Sequence, residues 1–111
     1  TSARDLAFIM ASLWQGNILD QVYNDEFWAI LSRQQFIEKL PSRILGQVQN
    51  YNKTGELDDG ARHDASVFTY QSKVWGLVAL TDQQKLPAWQ IDLAMGAWSE
   101  RVFHALVQEA N

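Results

Sequence analysis

The 111-residue chain has no cysteine, only two prolines and two methionines, and nine basic side chains against thirteen acidic ones. Each shortage excludes a class of protein. Without a thiol there is neither a disulfide scaffold nor a Cys-ligated zinc domain. The cations are scattered singly, with no adjacent Lys or Arg pair. The counterion-displacing stripe of a nucleic-acid binder is therefore missing. No apolar run approaches the ~18–20 residues that span a membrane. There is no Gly-x-Ser-x-Gly, no glycine-rich phosphate loop and no histidine pair at metal-ligand spacing. No cofactor is expected. Residues 6–14 are apolar, but Asp5 precedes them and Ser12 interrupts them, which is not the pattern of a signal peptide. The compartment stays open between the cytoplasm and an exported, processed form.

What is present defines one domain. A net charge of -4 with 47% hydrophobic residues excludes disorder, and this length suits a single core. Charge is uneven along the chain. Residues 32–53 sum to +3 through Arg33, Lys39, Arg43 and Lys53 against Glu38, and residues 54–66 return to -3. This reads as solvated, balanced charge.

Periodicity predicts an all-α fold, a compact bundle of five to six helices with a central C-terminal helix. Ser2 and Asp5 form an N-terminal capping pair. Leu6, Ile9, Met10, Leu13 and Trp14 follow on one face, and Gly16-Asn17 ends that helix. A turn over 18–23 leads to a stretch presenting Phe27, Ile30 and Leu31. Ser32 with Gln35 re-caps the chain before Phe36, Ile37 and Leu40. Pro41 opens a helix to about residue 51. Residues 52–64 form a loop between two packed halves of the single domain 1–111. Residues 65–80 read as a helix, because Val67, Tyr70, Val74, Leu77 and Val78 share one helical face. A hairpin is the alternative, since Val67-Phe68-Thr69-Tyr70 favours strands. The last helix, 87–109, carries a core stripe of Ile91, Ala94, Met95, Trp98, Val102, Ala105 and Leu106. A second apolar stripe of Trp89, Leu93, Gly96, Phe103 and Val107 lies on its far side.

Two features could carry function. Residues 50–61 resemble an EF-hand calcium loop. Asn50, Asn52, Thr54 and Asp58 fall at liganding positions and Gly55 at the obligatory glycine, but Ala61 stands where a bidentate Glu belongs. With one carboxylate in the set, no metal is assigned, and these four residues remain weak candidates. His63 beside Asp59 and Asp64 reads as a solvated loop histidine. The second feature is the aromatic content: five Trp, five Phe and three Tyr. Rings off the core stripes suggest a protein contact. The expected partner-binding set is Trp89, Leu93, Phe103 and Val107, with Trp28 and Phe8, serving a protein partner or a homodimer. Glu56, Asp58, Asp59 and Asp64 would form a secondary acidic contact. The function expected on these grounds is a non-enzymatic interaction domain of the adaptor, chaperone, inhibitor or immunity type. The alternative is a ligand- or calcium-binding helical bundle, conceivably enzymatic, using the loop 50–64.

Overall fold

The computed structural model describes residues 2–56, 61–82 and 85–109. Its element order is α1 (Ala3–Trp14), α2 (Gln21–Ser32), β1 (Gln49–Glu56), β2 (Arg62–Tyr70), β3 (Lys73–Thr81) and α3 (Ala88–Glu109). The strands form one antiparallel sheet in the order β1-β2-β3. The fold is α/β, and the all-α expectation is corrected.

The physical reason lies in β2. Ala65 and Val67 pack toward α1 and α2, with Met10, Leu13, Trp28 and Leu31. Phe68, on the opposite face, packs with Leu40, Ile44, Ile91, Met95 and Phe103. A strand buried on both faces loses the apolar–polar alternation that identifies half-buried strands. The helix-like stripe over 65–80 is what two such strands leave when read in one register. They join at a tight turn, where Gln71 takes a φ of 53°.

α1 forms as its cap predicts. Asp5 N–H donates to Ser2 Oγ at 3.1 Å, and the Asp5 carboxylate accepts from Ser2 N–H. α2 starts at Gln21, inside the stretch read as a turn. Its Trp28 Nε1–H donates to the Leu13 carbonyl. Trp14, Trp28 and Tyr51 meet edge to face, with Trp14–Trp28 centroids 4.9 Å apart. Residues 33–48 hold no long helix. Pro41 begins only single turns, such as Ile44 N–H to the Pro41 carbonyl at 3.0 Å. This segment lies on the α3 side of the sheet, through Leu40 and Ile44.

α3 covers that face rather than running through the centre of a bundle. Its buried positions are Ile91, Met95, Gly96, Ser99 and Phe103, four residues apart along Ile91-Met95-Ser99-Phe103. Trp98, Ala94 and Ala105 of the expected core stripe are exposed. Small residues misled the pattern, because Gly96 and Ser99 mark the contact face without being strongly apolar. A Cβ on Gly96 would collide with Ser42 Oγ and approach the Lys39 carbonyl to 3.2 Å. Gly96→Ala is expected to destabilise by about 1–3 kcal/mol through overpacking. A lowered urea midpoint checks this; an unchanged or higher midpoint would show that Ser42 moves freely.

Candidate active site

β1 is an edge strand, hydrogen-bonded only to β2 among the described residues. It carries Lys53-Thr54-Gly55 and opens on a cavity of about 840 Å³. The cavity walls come from α1 (Leu6, Met10, Leu13) and α2 (Phe27, Leu31), and the polar side from Lys53, Thr54, His63, Asp64, Thr81 and Asp82. Lys53 is exposed, and its ammonium donates to the neighbouring Thr54 carbonyl; Thr54 is buried. This is a mostly apolar hollow with one exposed lysine, two carboxylates and, among the described residues, an open strand edge, a combination suited to binding a small acyl compound that Lys53 could hold by an anionic group.

The surroundings of that strand are built from charge pairs. The guanidinium of Arg62, opposite Glu56 in the β1–β2 register, donates two bonds of 2.9 Å to the Asp92 carboxylate of α3. Asp92 bonding holds the Arg62 pKa above its ordinary value, against the opposing effect of burial. Thr81 of β3 donates its hydroxyl to the Arg62 carbonyl at 2.6 Å, and its N–H to His63 Nδ1 at 3.2 Å. Lys39, fully buried, is ion-paired with Glu56. That hydrogen bond lowers the Glu56 pKa.

Asp64 is buried opposite Thr54 in the register. Desolvation pushes its pKa up to about 6, although Leu40 N–H and the Asn52 amide donate to it. The folded state thus binds this proton more tightly than the unfolded chain, whose carboxyl keeps its ordinary value of 3.8. The associated stability is complete below about pH 4 and is lost as pH rises through about 6. Two pKa units correspond to about 3 kcal/mol. Denaturation of wild type against Asp64→Asn should show wild type losing ground between pH 4 and 7 while the variant does not. Parallel pH dependences would contradict this.

The calcium-loop residues are placed differently from the sequence pattern. Asn50, Asn52 and Thr54 lie on a β-strand, which cannot wrap its side chains around one ion as a calcium loop does. Their polar atoms serve the fold: Asn50 Nδ2 donates to Asn52 Oδ1, and Asn52 Nδ2 to the Phe36 carbonyl, both at 3.0 Å. Asp58 lies outside the described residues, as does Asp59. Among the described residues no group of three or more His, Asp or Glu could hold a metal. Of the acidic set, Glu56 is paired and Asp64 is buried, so neither offers a free anionic surface.

The aromatic set divides. Trp89, Leu93 and Phe8 are exposed, at 60%, 54% and 72%. Phe103 is buried, stacked on Trp75 at 5.7 Å and edge-on to Tyr70. Trp28 is buried as well, and Val107 packs against the α3-side core. Phe103 and Trp28 are thus core residues rather than surface ones, and Val107 is half-buried at the core's margin.

The candidate site residue that the sequence reading passed over is Lys53. The signal was present: Lys53-Thr54-Gly55 is the Lys-Thr-Gly triplet which, with Ser-x-x-Lys and Ser-Asp-Asn, marks class A β-lactamases and penicillin-binding proteins. It sits inside the twelve residues that resemble a calcium loop.

The comparisons agree with that triplet. The profile of the beta-lactamase enzyme family matches residues 1–106. The chain belongs to this family. No curated protein matches it. A variant of the last common ancestor of Gram-negative class A β-lactamases, solved with 5(6)-nitrobenzotriazole, superposes with a TM-score of 0.85 at 17% identity, covering 98% of this chain and 42% of that one. The β-lactamase of Sphaerobacter thermophilus gives a TM-score of 0.79 at 20% identity, covering 91% of this chain and 38% of that one. The chain therefore spans about two-fifths of the length of these enzymes. Family membership overturns the expectation of a non-enzymatic adaptor, chaperone, inhibitor or immunity protein. No helix among the described residues is long and apolar enough to cross a membrane.

Proposed function

We propose that this chain is the Lys-Thr-Gly-bearing part of a serine-type β-lactam-hydrolysing enzyme, supplying substrate recognition rather than the nucleophile. The observation that supports this best is Lys53-Thr54-Gly55 on an edge strand that opens on the cavity, in a chain of the β-lactamase family. The Lys53 ammonium would attract the anionic group of a β-lactam, and the free edge of β1 would offer backbone groups to its amide.

The nucleophile is not here. None of the seven serines begins a Ser-x-x-Lys, and no Ser-Asp-Asn occurs. The acyl-transfer machinery would come from the part of the fold that the longer relatives have and this chain does not span. Two surfaces fit a completion of that kind. β3 is an apolar strand, Val74-Trp75-Gly76-Leu77-Val78-Ala79-Leu80, whose outer edge is unpaired among the described residues. An apolar edge of this kind is ordinarily covered. Trp89 and Leu93 expose apolar area on the outer side of α3.

Equilibrium dialysis with benzylpenicillin, followed by intact-mass measurement, tests the division of labour. The chain alone is expected to bind reversibly, with no covalent adduct and no hydrolysis, and Lys53→Ala to bind at least tenfold more weakly. A stoichiometric acyl adduct on this chain would overturn the assignment of the nucleophile elsewhere. Equal binding by Lys53→Ala would remove Lys53 from recognition.

A further inference from the structure

The strand that carries Lys53-Thr54-Gly55 is fastened from its far side at both ends of the triplet. Asn52, directly before Lys53, donates to the Phe36 carbonyl at 3.0 Å. Glu56, directly after Gly55, is paired with buried Lys39. Between them, opposite Thr54, lies the carboxylate of Asp64. One of its oxygens accepts from Leu40 N–H at 3.0 Å, the other from Asn52 Nδ2 at 3.4 Å. A single buried carboxylate thus joins the 36–40 turn to the triplet strand.

We propose that Asp64 is a positioning residue for the Lys53-Thr54-Gly55 strand, and that a proton gained or lost on its carboxylate re-sets how the 36–40 turn holds that strand. The relevance to β-lactam binding rests on the function proposed above, but the coupling itself does not. An ionised carboxylate accepts from both donors on equal terms. A protonated one has gained an O–H, which weakens acceptance at that oxygen. One of the two ties then slackens.

The neighbouring charges determine which group takes the proton. The turn brings Lys39, and Glu38 acts on Arg62 from the same segment. β1 brings Glu56, on which Lys53 also acts. β2 brings Arg62, and α3 brings Asp92, bound to it. β3 faces Asp64 in the register with uncharged Ala79. Glu56 and Asp92 each have a cation in direct contact. Asp64 is almost fully buried and is held only by neutral donors, the Leu40 N–H, the Asn52 amide and, beside it on β2, the Ser66 hydroxyl. It is the carboxylate of this cluster that neutralises most readily.

The test is a pH titration of the isotope-labelled chain between pH 4.5 and 8, following the Asp64 carboxyl carbon and the amides of residues 53–55 in one sample. The carboxyl and the three amides are expected to share a midpoint near 6, and in Asp64→Asn the amides should be flat over that range. Should the variant not fold, the co-titration in wild type decides alone. Amides that stay still while the Asp64 carboxyl titrates would overturn the proposal. So would amides that titrate unchanged in Asp64→Asn. Penicillin binding at pH 5 and pH 8 reports separately: a two- to fivefold affinity change is expected. Co-titrating amides with no binding at either pH would leave the coupling standing and remove the recognition role.

Discussion

Replacing Lys53 by Ala should lower kcat/KM for a chromogenic cephalosporin by about two to three orders of magnitude, in the protein that joins this chain to a Ser-x-x-Lys segment. That is the usual loss when one preorganised electrostatic group is taken from an acyl-transfer site. Lys53 is exposed, sits on an unpaired strand edge and borders an apolar cavity. Its removal therefore disturbs no packing, and the fold should melt as before. Steady-state kinetics on purified variants check this. A Lys53→Ala enzyme within a factor of three of wild type would show that the triplet's ammonium is not used.

The largest stability effect is expected at Phe68. This ring is fully buried between the sheet and α3, tilted against Trp75 at 5.6 Å and surrounded by Leu40, Ile44, Ile91, Met95 and Phe103. Phe68→Ala should cost about 3–5 kcal/mol, the transfer term plus the cavity left behind. That is a large part of the 5–15 kcal/mol by which a domain is stable. Trp89→Ala, at an exposed ring, should stay within about 0.5 kcal/mol in this chain. Urea denaturation of the two variants gives the comparison directly. Large losses at both positions would mean that Trp89 is covered, and small losses at both that the packing described around Phe68 is wrong.

These contrasts also show what the sequence revealed and what it concealed. The Ser2–Asp5 cap, the α1 stripe and the span of the last helix were legible, because helix ends and faces are written in local residue spacing. The sheet was not. β2 is buried on both faces, so Val67 and Phe68 leave no alternation to read, and the real contact row of α3 runs through Gly96 and Ser99. Those two mark a close approach to the 36–44 segment by being small. The site was half legible. Residues 50–61 stood out as unusual, but glycine and oxygen-bearing residues at alternating positions suit both a cation loop and an edge strand. Only the tertiary setting separates them: the edge of β1, the bidentate Arg62–Asp92 pair and buried Asp64. Of the aromatic surplus, Trp89 and Phe8 are exposed on this chain. Phe103 and Trp28 are core, hidden because the elements that bury them are strands that the helical reading did not contain.

On the function proposed above, Lys53-Thr54-Gly55 would recognise a β-lactam on this chain. The most direct measurement is a residue-resolved amide-shift map of the labelled chain titrated with benzylpenicillin. The predicted result is saturable shifts concentrated at residues 53–56, 62–63 and 81, around the β1 edge and the cavity mouth, and absent in Lys53→Ala. Shifts confined to the outer side of α3 around Trp89 and Leu93, or no saturable shift at millimolar ligand, would contradict it.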